Sequence, residues 1–160
     1  MADNDNVISV LNNLIETCKD GQNGFQTAAD GVTRSDFKSL FYQYSQQRAQ
    51  FAGELQTEVR RLGGDPEQAG SVAATLHRGW INLKSALTGE DENAVLAECE
   101  RGEDSAVANY KDALDDQNLP SDVRAIVERQ YAQVQEAHDR IRNLERATGF
   151  TRSGTNTANA

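Results

Sequence analysis

The sequence predicts an all-α domain, a four-helix bundle made of two antiparallel hairpins. Three observations lead there. Apolar residues recur at helical spacing through four long segments, no stretch alternates with the period of two that a strand needs, and the breakers are few and well placed. Only two prolines occur, Pro66 and Pro120, and glycines gather where helices should stop.

The first helix is expected from about Asp5 to Asp30, with Val7, Leu11, Leu14, Cys18, Phe25, Ala29 and Val32 on one stripe and Gly31 as its C′ residue. The second follows Ser35 as N-cap and carries Phe37, Phe41, Tyr44, Phe51, Leu55, Val59 and Leu62. It ends at Gly63-Gly64-Asp65-Pro66, a C-cap followed by a residue that cannot continue a helix. The third spans about Glu90 to Gln117 with Val95, Cys99, Ala106, Tyr110 and Leu114 aligned. The fourth opens at Pro120-Ser121 and carries Val123, Val127, Tyr131, Val134, Ile141 and Leu144.

Short links inside each pair make antiparallel hairpins. Between the second and third helices lie about 25 residues, within which Val72, Leu76, Trp80, Leu83 and Leu87 mark a shorter amphipathic helix. About 17 helical residues rise about 25 Å, enough to carry the chain back along the bundle. Two hairpins joined by one long crossover is the ferritin-like arrangement. Residues 1–148 are read as this single domain, and 149–160, rich in Ser, Thr, Asn, Gly and Ala, as a disordered tail. A faint internal echo (Cys18-Lys19-Asp20-Gly21 with Cys99-Glu100-Arg101-Gly102) fits two related halves.

A chain of 160 residues suffices for one core and is too short for two comfortable ones. With 16 Lys+Arg against 25 Asp+Glu the net charge is −9, and no basic stripe exists to neutralise phosphates, so nucleic acid is not an expected partner. No apolar run approaches the roughly 18 residues of a membrane span. The N-terminus lacks a basic-then-apolar signal, and two cysteines make no disulfide framework, so the expected setting is the cytoplasm. Cys18 and Cys99 lie on apolar stripes and read as small core residues. Neither a Ser-His-Asp set nor a phosphate loop has a motif here, and no catalytic or cofactor-binding residue is assigned.

The chemistry that remains sits at mid-bundle. Helix midpoints fall near residues 18, 49, 104 and 134, where polar residues interrupt the stripes: Gly21 and Gln22, Gln47 and Gln50, Glu103, then Gln135 and His138. In ferritin-like di-iron proteins two helices each give a Glu and two give Glu-x-x-His, all pointing inward. The matching places here read Gln22 (or Cys18, in a different register), Gln47-x-x-Gln50, Glu103 and Gln135-x-x-His138, so only Glu103 and His138 keep the ligand type. Neutral amides cannot balance two metal ions, and the expected reading is a polar layer that fixes helix register, with no cofactor. The alternative is an unusual iron or manganese site built on Glu103, His138, Gln135, Gln47 and Gln50. A polar small-molecule site ranks last, for want of any signature.

Residues 7 to 147 also resemble a bacterial family of uncharacterised ferritin-like four-helix-bundle proteins. The resemblance rests on Leu11-Asn12-Asn13-Leu14-Ile15-Glu16-Thr17-Cys18-Lys19-Asp20-Gly21 and Arg60-Arg61-Leu62-Gly63-Gly64. It rests equally on His77-Arg78-Gly79-Trp80-Ile81-Asn82-Leu83-Lys84 and Glu98-Cys99-Glu100-Arg101-Gly102-Glu103-Asp104. It implies the fold and no established reaction. Wider relatives store iron or handle peroxide, which implies a stress-related setting by analogy. The expected function is therefore non-enzymatic, through assembly or partner binding, with a homodimer through the Trp80 segment as the leading interaction. The plainer reading of that segment has Trp80 packing the crossover against the bundle, with His77 and Arg78 facing water.

Overall fold

The computed structural model describes the backbone of residues 2–66 and 80–158 and the side chains of 4–66 and 80–148. Among the described residues the chain is all-helical, without a strand. Its elements are α1 (Ala2–Gly31), α2 (Ser35–Arg61), α3 (Leu83–Thr88), α4 (Glu92–Leu114) and α5 (Ser121–Ala158). Of the crossover helix expected through Val72, Leu76, Trp80, Leu83 and Leu87, residues 80–82 form a turn and only α3 is helical, while Val72, Leu76 and His77 lie outside the described residues. Helix α5 runs on through most of the segment 149–160 that composition assigns to a disordered tail, and the side chains of that segment lie outside the described residues.

The cross-links between helices fix their directions. Ser45 Oγ donates to the Gln22 carbonyl and Lys38 Nζ to the Ala29 carbonyl, so α1 and α2 run antiparallel. Tyr110 to Gln130 and Arg142 to Glu100 set the same relation for α4 and α5. Asn6 reaches Asp116 and Asn109 reaches Thr17, which makes α1 antiparallel to α4. Gln47 meets Gln133 and Arg61 meets Asp122, which makes α2 antiparallel to α5. Hence α2 and α4 point the same way across the diagonal, and the connection between them must travel the bundle's length.

Helix ends depart from the expected caps by a residue or two. Ser35 is the first residue of α2 and Arg34 stands in the N-cap place without a side-chain cap. The start expected at Glu90 falls at Glu92. Glu90 has φ 56° and cannot lie in the helix, while the Asp91 carboxylate caps α4 by accepting from the Asn93 and Ala94 amides. Gly63, with φ 87°, ends α2 in the left-handed conformation that favours glycine.

Two apolar clusters fill the interior. One holds Leu11, Leu14, Phe51, Leu55, Tyr110, Val123 and Val127; the other holds Phe25, Phe37, Phe41, Val95, Leu96 and Ile141. Trp80 closes the second cluster. It is 6% exposed and meets Phe25 edge-on at 5.0 Å. A Cβ at Gly24 would lie 2.3 Å from its ring and one at Gly102 2.2 Å, so two helices give up side chains to admit the indole. Seven residues on from both Gly24 and Trp80, Gly31 receives Leu87 in the same way. The crossover is thus bolted along α1, and Trp80 is turned inward instead of outward to a second subunit.

Candidate functional site

Between the two clusters lies the polar layer, and its centre is an ion pair. Arg48 of α2 and Glu103 of α4 face each other across the diagonal, with both nitrogen–oxygen contacts at 2.6 Å. The side chains are 1% and 0% exposed. Both residues continue apolar stripes: Arg48 falls between Tyr44 and Phe51, and Glu103 between Cys99 and Tyr110. Gly21 makes room, since a Cβ there would stand 3.2 Å from two Arg48 atoms. The guanidinium also lies 5.5 Å from the Phe25 ring centroid. Burial works against the charge on Arg48, but Glu103 outweighs it and holds the guanidinium's pKa above its ordinary value.

A second chain of contacts crosses the layer beside it. Cys18 Sγ lies 3.1 Å from Tyr110 Oη, which donates to Gln130 Oε1 at 2.7 Å. Gln130 Nε2 reaches the Phe51 carbonyl and Glu54. Burial pushes the Cys18 thiol up to about 11 and the Cys99 thiol well above its usual value, so neither offers a thiolate near neutrality. Gln130 is fully buried beside Tyr131, the expected stripe residue, which is half-buried against the first cluster.

The five residues expected as metal ligands do not converge. Both oxygens of Glu103 are taken by Arg48. Gln47 sits between Gln133 and the Arg48 Nε, and Gln50 is exposed. Gln135 donates to Asp139. A di-metal centre needs several free carboxylates, whereas the one carboxylate among these five, Glu103, is already neutralised, so they do not fit one.

His138 belongs to a different group. It is 4% exposed and sits at the α4–α5 seam, with Nε2 2.5 Å from Asp104 Oδ1 and Nδ1 3.1 Å from Asp139 Oδ1. Glu100, one turn before Asp104 on α4, completes a set whose ligand atoms lie within 4.8 Å of one another. This is a possible metal-binding triad. Burial disfavours the imidazolium, but the two aspartates outweigh it and hold His138 above its ordinary 6.5. Nearby, burial and then the hydrogen bond it donates to Glu100 push the Glu145 carboxyl up to about 7. The sequence does carry a signal for the triad in Glu-x-x-x-Asp on α4, which presents both carboxylates on one face.

The family model described as Domain of unknown function (DUF2383) matches residues 6–116, which covers α1 to α4 and leaves α5 and His138 beyond it. No curated protein matches the chain.

Proposed function

The chain belongs to this family of domains of unknown function, and on that premise we infer that it is a ferritin-like four-helix bundle which works without an interior di-metal centre, through assembly or a partner surface. The buried Arg48–Glu103 pair carries this reading. It occupies the place where a ferritin-like oxidase needs uncompensated carboxylates, and a guanidinium there repels a cation. The layer then serves register, since a pair aligned across the diagonal is lost if either helix slides by a turn.

The assembly is a homodimer in a cytoplasmic, stress-related setting. It would form beside the crossover, where Ile81 stands 66% exposed next to the buried Trp80. The test uses the full chain exposed to iron(II) in air. Iron oxidation no faster than in protein-free buffer, with a sedimenting mass twice that of the chain, is the expected result. A bound pair of metal ions with oxidase activity that Glu103→Gln abolishes would defeat the reading.

A further inference from the structure

We propose that Glu100, Asp104 and His138 Nε2 bind a single divalent transition-metal ion at the α4–α5 seam, apart from the Arg48–Glu103 layer. The donors come from two helices that the hairpin already holds in register. Glu100 and Asp104 lie one turn apart on α4, and His138 faces them from α5.

What distinguishes this set from a chance group of surface acids is the orientation of the imidazole. A metal-binding histidine characteristically gives its other ring nitrogen's proton to a carboxylate, which fixes the tautomer and raises the basicity of the ligating nitrogen. His138 has that arrangement: Nδ1 faces Asp139 Oδ1, and Gln135 Nε2 donates to the same Asp139 oxygen at 3.1 Å. The relay leaves Nε2 aimed at Asp104. Gln135, expected as a ligand, holds the residue that holds the ligand. The ring is buried, whereas the Asp104 side chain is 59% exposed, so the ion would meet water on one side.

Donor chemistry narrows the ion. One imidazole with two carboxylates suits Zn²⁺, Mn²⁺ or Fe²⁺ better than Mg²⁺ or Ca²⁺, which favour all-oxygen shells. Ligand bonds to zinc of about 2.0–2.2 Å require donors closer than their present spread. Asp104 already touches Nε2, so the closure falls to Glu100, whose carboxylate reaches that pair by a change of rotamer. Arg142 Nε donates to Glu100 Oε1 at 3.1 Å and keeps that carboxylate at the seam. On binding, the ion takes the place of the proton shared by Nε2 and Asp104, which passes to solvent.

The test strips the full chain with a chelator and titrates it with Zn²⁺, then Mn²⁺, against a competing metal indicator, with circular dichroism on each sample. Four proteins are compared: wild type, Asp104→Asn, His138→Gln and His77→Gln. Wild type and His77→Gln are expected to retain a single zinc ion each. Asp104→Asn and His138→Gln should bind roughly tenfold or more weakly, since even an outer-shell partner of a metal ligand is worth 10–100-fold. Asp104→Asn decides if His138→Gln fails to fold, because an exposed side chain contributes little to the core. No zinc retained by folded wild type, or the same affinity in Asp104→Asn, or loss only in His77→Gln, would overturn the proposal. A metal pair lost in Glu103→Gln would instead count against the reading of the bundle interior.

Discussion

Arg48 and Glu103 show how much a single pair of charges can decide. Two ions removed from water are tolerated only with full geometric compensation, and here both guanidinium nitrogens meet both oxygens. Removing one partner leaves the other charged and buried. Arg48→Met and Glu103→Gln should each cost roughly 3–5 kcal/mol in urea unfolding, whereas Arg48→Met combined with Glu103→Leu should recover most of it. Single variants as stable as wild type would show that water enters the layer. At the same depth Cys18, Tyr110 and Gln130 satisfy one another, and burial drives the Tyr110 hydroxyl well above its ordinary pKa. They hold the layer together and offer no nucleophile.

Elements meet through glycines where the crossover lands. Trp80 fills the space left by Gly24 of α1 and Gly102 of α4, and Leu87 fills that left by Gly31. Glu98, itself buried, ties the landing down by accepting from the Asn82 amide just before α3. Gly24→Ala or Gly102→Ala puts a methyl group inside the indole's volume. Either should destabilise by about 1–3 kcal/mol, the usual cost of overpacking, and expose the chain's single tryptophan. A red shift of its emission reads that exposure. Unchanged emission and stability in both variants would mean that Trp80 does not occupy this slot. The echo of Gly21 in Gly102 is therefore not a repeat of role: one admits an arginine from α2, the other an indole from the crossover.

At the scale of the whole molecule, the two hairpins share one interior, and the seam between α4 and α5 makes its stability depend on pH. His138, facing Asp104, Asp139 and Arg142, holds its proton above 6.5 when folded. That contribution is complete below 6.5 and is lost as pH rises through the folded value. Glu145, facing Glu100, Asp104 and Arg146, keeps its proton to about 7 against an ordinary 4.5. Between those values the folded chain binds a proton that the unfolded chain has released, so stability again falls as pH rises. Glu100 and Asp139, held below their ordinary values, stay ionised over this range and do not oppose the trend. In chelator-treated buffer the Tm should be lower at pH 8 than at pH 6, with a smaller difference in Glu145→Gln. A Tm that rises with pH would refute this. No helix among the described residues is long and apolar enough to cross a membrane, in keeping with the polar outer faces of all the long helices.

The sequence by itself determined the four long helices, their hairpin pairing and the depth of the polar layer, because apolar spacing, glycine stops and matched lengths are local properties that survive in any packing. It also placed Trp80 against the bundle. Of the central pair only Glu103 is expected in the layer from the sequence; on the second helix Gln47 and Gln50 are expected there, and Arg48 between them is not. Only the tertiary structure decided which polar groups answer one another. Glu103 pairs across the diagonal with Arg48 instead of gathering with His138, Gln135, Gln47 and Gln50, and His138 turns to the seam with Glu100 and Asp104. Helical spacing tells which face a residue shares, but the rotation of each helix about its own axis selects its partners. That rotation is set jointly by the apolar clusters on either side of the layer.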